Sequence, residues 1–217
     1  RPIEEDEGRM MLILDKMMCD AAGLTAEERA KLSDLIDVFN AHVSKNALKN
    51  KYYEGHVTLA DVNLGIALPE RLSTLEVGCE WGAKTVDVLA SRSLFDGFVG
   101  EDGQSAETMQ RILEDNRLLS EYAKACKDEL KYGCTFATLS ADPVLGCRIR
   151  FHSPATASAL WSGEAGRIEC GLSIIDSTKD ETLFGKFTPA VLRLDTDTAV
   201  VMLRKVDNRW IAERHEH

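Results

Sequence analysis

The spacing of apolar residues changes once along this chain, close to Gly133, and this change limits the possible folds more than any other feature. Before Gly133, apolar residues recur every three or four positions, which predicts amphipathic helices. The clearest series is Leu32, Leu35, Ile36, Phe39 and Val43. After Gly133 they alternate with polar residues, which predicts strands with one buried face. Helices followed by strands indicate an α+β fold, with N-terminal helices and then an antiparallel, hairpin-rich β-sheet.

The helical part can be divided further from its start and stop signals. Thr25 and Glu28 have the spacing of a capping box, so a helix should begin there and continue to about Asn50. A second helix is expected from Trp81 to near Arg92, followed by a short strand within residues 91–98. Helical spacing returns at residue 106 and is interrupted near residue 116. We therefore expect a mainly helical part over residues 1–133 and an antiparallel β part over residues 134–217.

Several apolar residues around the second helix are expected in the core. They are Trp81, Val86, Leu89, Phe95 and Phe98. At the end of the last helix, Gly133 is placed to adopt the left-handed conformation that commonly ends helices.

Composition excludes some classes of protein. The chain has 217 residues and a formal net charge of -10, so it lacks the basic surface with which proteins displace counterions from nucleic acid. No apolar run approaches the roughly 20 residues that cross a bilayer, so no membrane partner is expected. The six cysteines form no C-x-x-C pair, which favours buried thiols in a reducing cytoplasm. The acidic start without Met and the abrupt end predict a fragment of a longer polypeptide.

Candidate metal and nucleophile sites are weak in this sequence. His215 and His217 form a terminal H-x-H pair, which we interpret as a solvated tail. The carboxylates of Asp195, Asp197 and Asp207 lack the glycine and distal glutamate of an EF-hand, so they are expected in hairpin turns. The best nucleophilic trio is Cys134, His152 and Asp142, but Cys134 has no adjacent cation to activate its thiol.

Phosphate and nucleic-acid motifs are also weak. The glycine-rich stretch at residues 97–103 is acidic and lacks the Lys and Ser/Thr of a phosphate loop. Lys45, Lys49 and Lys51 precede Tyr52 and Tyr53, a combination that can stack bases, although lysines also suit the end of a helix. No active site or cofactor is therefore predicted, and a structural or interaction role is favoured over catalysis.

Four short motifs occur in order between residues 50 and 154. The first, N-K-Y-Y-E-G-H at residues 50–56, contains Tyr52, Tyr53 and Gly55. The second, at residues 81–92, begins with Trp81, contains Asp87, ends at Arg92 and is followed by Gly97 and Phe98. The third contains Asn116 and the segment K-D-E-L-K-Y-G, which ends at Gly133. The fourth is F-H-S-P at residues 151–154.

Taken together, the order and spacing of these motifs resemble the portal protein family of long-tailed bacteriophages. The family has an early Y-Y-x-G signature, an aromatic residue followed by V-D-x-L-A-x-R and then G-F, an Asn before a helix ending in an aromatic-Gly pair, and a strand-ending S-P. The resemblance covers about residues 40–160. The stem, clip and crown parts of the family are not recognised in this chain.

This resemblance implies a structural subunit and not an enzyme. Portal subunits form a closed, typically dodecameric ring at one capsid vertex, where the virion packages and ejects its DNA. The expected partners are other copies of the chain, the terminase, scaffold and capsid proteins, a head-tail adaptor, and double-stranded DNA that passes without sequence specificity. The expected location is the virion vertex, and the host cytoplasm during assembly.

Two other interpretations remain open from the sequence. A monomeric adaptor or regulatory module that binds a protein partner would have the same composition and the same lack of an active site. A cysteine hydrolase would use Cys134 and would require a reactive thiol there. Arg92, at the end of an apolar helix, is expected to pair with a carboxylate in its own subunit or in a neighbouring one.

Overall fold

The α+β order of elements is present in the structure. The computed structural model describes residues 12–62, 65–67, 69–78, 81–100, 107–144, 146–179 and 187–216. A 3-10 helix at Lys16–Asp20 is followed by the helices α1 (Ala26–Glu54), α2 (Glu70–Ser73), α3 (Trp81–Ala90), α4 (Glu107–Asp115) and α5 (Leu118–Tyr132). The strands are β1 (Phe136–Asp142), β2 (Gly146–His152), β3 (Ala157–Ser162), β4 (Arg167–Lys179), β5 (Phe187–Asp195), β6 (Ala199–Val206) and β7 (Arg209–Glu216).

The chain divides into two compact units that do not follow the change from helix to strand. One unit comprises residues 1–44 and 156–217, which we call the sheet unit, and the other comprises residues 45–155, which we call the helical unit. Helix α1 contributes residues 26–44 to the sheet unit and residues 45–54 to the helical unit. The first hairpin, β1–β2, belongs to the helical unit and forms a sheet of its own.

In the sheet unit, one antiparallel meander packs against the first part of α1. Strands β3 to β7 lie in sequence order, and each is paired with the next. Their alternating apolar residues contact the predicted stripe of α1, in which Leu32, Leu35 and Ile36 are completely buried. Burying such side chains removes apolar surface from water, so this interface is the main source of stability in the sheet unit.

Specific hydrogen bonds fix the position of α1 on this sheet. The capping box is formed as predicted: the Thr25 amide donates to Glu28 Oε2 at 2.8 Å, and the Glu28 amide donates to Thr25 Oγ1 at 3.2 Å. Arg214 on β7 also donates to the carboxylate of Glu28. Further along α1, the buried hydroxyl of Ser158 donates to the Leu35 carbonyl at 3.0 Å.

The segment before α1 packs beside the meander. Its backbone joins β7, because the Ala212 amide donates to the Ala22 carbonyl at 2.9 Å. Its position on α1 is set by Asn40, whose side chain both accepts from the Leu14 amide and donates to the Leu14 carbonyl. This segment contains the 3-10 helix at Lys16–Asp20, in which Met18 and Cys19 are buried.

The helical unit has a smaller core. Among the residues described there, the buried apolar side chains are Val57, Ala90, Leu113, Leu118, Ala125 and Cys126. Helix α3 contacts α5, and both α4 and α5 contact β2. The expected interruption between two helices at residue 116 is confirmed, and Gly133 ends α5 with a φ of 97°. The expected short strand within residues 91–98 is wrong, since this segment is a turn followed by irregular backbone.

Candidate functional site

Three of the four motif segments meet in one polar cluster of the helical unit. The Tyr53 hydroxyl on α1 donates to Asp87 Oδ1 on α3 at 3.0 Å. Lys127 Nζ on α5 lies 2.8 Å from the same carboxylate oxygen. Lys131, one turn further along α5, places its Nζ 4.5 Å from the centre of the Tyr53 ring. We call Tyr53, Asp87, Lys127 and Lys131 the motif cluster.

A close approach between helices makes the motif cluster possible. Gly82, in the first turn of α3, lies against the end of α1, where a Cβ atom would be 2.6 Å from the Tyr52 carbonyl oxygen. Any larger residue at this position would move the two helices apart. Lys127 and Lys131 are four residues apart on α5, so they extend from the same face of that helix.

The electrostatics of the cluster favour fixed charges at neutral pH. The hydrogen bonds from Lys127 and then from Tyr53 hold the pKa of Asp87 below its ordinary value. Burial, followed by the hydrogen bond to Asp87, raises the pKa of Tyr53, and the hydrogen bond with Asp87 raises the pKa of Lys127. Each group therefore keeps the protonation state in which it binds its neighbour. Such an arrangement positions helices, and it does not supply a group that exchanges protons near neutral pH.

Asn116, another motif residue, joins helix α4 to strand β2. Its Nδ2 donates to the carbonyls of Ile112 and Cys147, both at 2.9 Å, and its Oδ1 accepts from the Ile149 amide at 2.8 Å. One amide side chain thus satisfies backbone groups on two different elements. The position of this asparagine at the break between two helices indicated a special role. The sequence did not indicate which backbone groups it would bind.

The other motif positions have mostly local roles. Gly55 and Gly97 have φ angles of 78° and 125°, in the region that favours glycine. Phe98 packs edge-on against Phe95, with ring centres 5.2 Å apart. Tyr52 is 46% exposed.

The predicted core around α3 is partly wrong. Trp81 is 79% exposed, Leu89 is 49% exposed and Phe98 is 39% exposed, whereas Val86 and Phe95 are half-buried. Apolar residues lie on more than one side of α3, but only one side is packed against the rest of the helical unit. The helical spacing therefore identified the helix correctly and did not distinguish its covered side from its uncovered side. Arg92 is exposed and makes no ion pair with a described residue.

The structure does not assemble the candidate catalytic trio. In the register of β1 and β2, Phe136 pairs with His152 at one end and Asp142 pairs with Gly146 at the other. Asp142 is therefore about 20 Å of strand away from His152, and it forms an ion pair with Arg148 at 2.7 Å. Cys134 is exposed, so the expectation of buried thiols is wrong at this position, although partial desolvation still raises the pKa of its thiol and opposes thiolate formation.

The candidate metal ligands have other partners. Asp195 is paired with Arg193 at 2.7 Å, and Asp197 with Arg167 at 3.2 Å. Asp207 lies in the β6–β7 turn, as predicted. The tail interpretation is wrong for His215, which lies within β7 opposite Val200 and 3.7 Å from Glu213. His217 is outside the described residues. No group of three or more potential metal ligands occurs within the described part of the chain.

Two lysines of the basic stretch at the end of α1 bind other residues of the helical unit. Lys49 Nζ donates to the Tyr132 carbonyl, and Lys51 Nζ lies 3.4 Å from the carboxylate of Asp61. The helix continues to Glu54, four residues beyond the expected end. These contacts favour the packing interpretation over base stacking. No helix within the described ranges is long and apolar enough to span a membrane.

The sheet unit contains a cleft of about 580 Å³ beside the first turn of α1. It is lined by residues of α1 and of the ends of β6 and β7, among them Glu27, Glu28, Lys31 and Arg214. Four of its charged groups are already paired, because Arg214 binds Glu28 and Lys31 lies 2.8 Å from Glu27. This cleft therefore offers a ligand no unpaired charge among these four residues.

Sequence reasoning did not identify the two lysines of the motif cluster as functional positions. Lys127 and Lys131 are spaced four residues apart, which is the available signal, but this spacing alone names neither Asp87 nor Tyr53 as the partner.

Comparison of this chain with protein-family models gives no match, and comparison with curated proteins gives none.

Proposed function

We propose that this chain is the wing part of a portal subunit, which builds the head-tail connector ring of a tailed bacteriophage. The observation that carries the proposal is the motif cluster. Tyr53, Asp87 and the Lys127–Lys131 pair come from three separate motif segments, and they contact one another directly. Direct contacts among three motif segments agree with a shared structural role for those segments.

The properties of the surface agree with a role in assembly. Large apolar side chains are exposed at several places in the helical unit, including Trp81 and Leu119, which are 79% and 61% exposed. Exposed apolar surface of this kind is typical of regions that contact other proteins. The net charge of -10 suits a protein beside a DNA conduit, because it repels phosphates and opposes sticking.

In this role the chain would act by contacting neighbouring subunits of the ring. Closed rings arise when one surface of a subunit binds a different surface of its neighbour and the rotation closes. The ring would receive the terminase, scaffold and capsid proteins and the head-tail adaptor, and would pass DNA through its centre. The motif cluster would hold α1, α3 and α5 in the arrangement that presents the subunit surface.

Sedimentation velocity of the full-length gene product tests this proposal against the adaptor alternative. The proposal predicts one discrete, high-order oligomer whose size does not change over a wide range of protein concentrations. A species that remains monomeric across concentration and salt would overturn it and would favour the adaptor. The motif cluster would then serve only to stabilise the helical unit.

A further inference from the structure

The segment that follows α3 has an irregular backbone without the hydrogen bonds of a helix or a strand. The Ser93 amide still donates to the Ala90 carbonyl at 3.1 Å and completes the turn after α3. From residue 94 to residue 100, no backbone group forms a hydrogen bond with a described residue. Backbone of this kind changes its conformation more easily than backbone held in a helix or a sheet.

Asp96 lies in this segment and is followed directly by a glycine. Its side chain is exposed, and it forms no hydrogen bond or ion pair with any residue that the structure describes. The amide of Gly97 also has no acceptor among those residues. Gly97 has a φ of 125°, in the region that favours glycine, and it has no Cβ to shield its own nitrogen. The Asp96 carboxyl and the Gly97 nitrogen are therefore adjacent groups without other partners.

Other aspartates that precede a small residue or a proline are held differently. Asp176 precedes Ser177 within strand β4, where its Oδ1 accepts from the Ser177 amide at 2.8 Å and the backbone is paired with β5. Asp142 precedes Pro143, and a proline nitrogen carries no hydrogen. Asp96 differs from both, because its neighbour has an amide hydrogen and no strand fixes the backbone around it.

We propose that Asp96 is a site of spontaneous covalent modification, at which a cyclic imide forms with the Gly97 nitrogen and reopens as isoaspartate. In the first step the Gly97 nitrogen attacks Cγ of the protonated Asp96 carboxyl, and a C–N bond forms. The hydroxyl of the carboxyl leaves as water together with the amide proton. In the second step water attacks one of the two imide carbonyls, and attack at the α-carbonyl leaves the main chain running through the side-chain carboxyl. One water is lost and one is taken up, so the conversion requires no other reactant.

The modification would change the packing of the two phenylalanines beside it. Isoaspartate adds one carbon atom to the main chain between Phe95 and Phe98. The two rings pack edge-on with centres 5.2 Å apart, and the Phe95 ring centre lies 5.3 Å from that of Tyr122 on α5. Aromatic contacts of this kind depend on the relative position of the rings. A longer main chain should therefore weaken the attachment of this segment to α5, whether or not the protein is a portal subunit.

Incubation of the native protein in isotopically heavy water at neutral pH tests the modification. Each reopening of the imide incorporates one heavy oxygen. Fragmentation in the mass spectrometer assigns this oxygen to Asp96 and not to Asp102, the other aspartate that precedes a glycine, and it distinguishes isoaspartate from aspartate. The label and isoaspartate should accumulate at Asp96 with time, while Asp176 stays unlabelled. The Asp96→Glu variant should lose both signals at this position, because a six-membered imide forms much more slowly.

Protein unfolded in guanidinium chloride is the control for the effect of the fold. Label at Asp96 in the unfolded protein but not in the native protein would show that the fold protects this residue, and would overturn the proposal. Absence of label from both forms would overturn it as well.

The melting temperature tests the effect on packing. Aged wild type should melt at a lower temperature than fresh wild type, and this loss should be smaller in Asp96→Glu, which retains Asp102. Isoaspartate at residue 96 with equal losses in the two proteins would support the modification site and overturn its effect on the Phe95–Phe98 contact.

Discussion

The hydroxyl of Tyr53 donates a hydrogen bond to Asp87 at 3.0 Å, and this bond joins α1 to α3 across 34 positions of sequence. Lys127 binds the same carboxylate from α5. A single aspartate therefore connects three helices of the helical unit. This connection gives a physical reason for a tyrosine at position 53 and a carboxylate at position 87.

Replacing Tyr53 with Phe should destabilise the helical unit. The ring would keep its contact with Lys131, but Asp87 would lose one donor, so the free energy of unfolding should fall and the pKa of Asp87 should rise. Urea denaturation measures the first effect. Tyr52→Phe is the control. The adjacent Tyr52 is 46% exposed, so loss of its hydroxyl should not change the free energy of unfolding. If both substitutions lower the free energy of unfolding equally, the hydrogen bond from Tyr53 to Asp87 does not stabilise the helical unit.

Replacing Asn116 with Ala should lower the free energy of unfolding by about 2 kcal/mol, because backbone groups that lose a partner away from water are costly. The affected groups include the Ile149 amide and the Cys147 carbonyl. Asn50→Ala is the matched control, since Asn50 accepts one long hydrogen bond of 3.4 Å from Tyr132. Chemical denaturation of both variants checks the difference, and a cost for Asn116→Ala no larger than that for Asn50→Ala would contradict it.

The stability of the sheet unit should depend on Glu28 in acid. Burial raises the pKa of Glu28, but hydrogen bonds from Thr25 and Arg214 outweigh burial and leave this pKa below its ordinary value. The unfolded chain therefore binds a proton at a higher pH than the folded chain does. The stabilisation is fully present above the unfolded pKa of about 4.3, and it is lost as the pH falls through the lower folded value.

Glu28→Gln tests this pH dependence. The variant should be less stable than the wild type near neutral pH, and its stability should fall less steeply as the solution is acidified below pH 5. Glu27→Gln is the control, because the side chain of Glu27 is 78% exposed and its partner Lys31 keeps a second carboxylate, Glu169, at 3.6 Å. Melting curves between pH 3 and pH 7 give the slope of stability against pH for each protein. Equal slopes for the wild type and Glu28→Gln would show that Glu28 is not the source of the acid sensitivity.

Thiol reactivity should separate a structural Cys134 from a catalytic one. Cys134 is exposed to the reagent, but partial desolvation raises the pKa of its thiol, so alkylation by iodoacetamide at neutral pH should be limited by the small thiolate fraction and should accelerate as the pH rises. Cys170 is an internal reference, because burial raises its pKa to about 11 and it is 2% exposed. Peptide mapping after timed alkylation reports both rates. Labelling of Cys134 that is fast at neutral pH and does not accelerate as the pH rises would instead support the hydrolase interpretation.

The sequence predicted features that depend on neighbouring residues along the chain. The α+β class, the capping box at Thr25 and Glu28, the apolar stripe of α1 and the left-handed Gly133 are all confirmed. Each depends on local spacing or on the conformational freedom of one residue. The hairpins of the meander were predictable for the same reason, since a short turn brings adjacent strands together.

Features that depend on distant residues were harder to predict. The spacing of apolar residues in α3 does not show which side meets α1 and α5, so Trp81 was expected in the core although it is 79% exposed. The polar partners of Asp87 and Asn116 lie on other elements, and no local pattern names them. The two compact units also differ from the predicted boundary at residue 133, because β1 and β2 pack with helices and α1 belongs to both units.

Negative-stain electron microscopy of the full-length gene product tests the central claim most directly. A portal subunit should form closed rings of uniform diameter with a central channel, and these rings should persist when protein concentration and salt are varied. Uniformly small particles without a channel, under all of these conditions, would contradict the portal assignment.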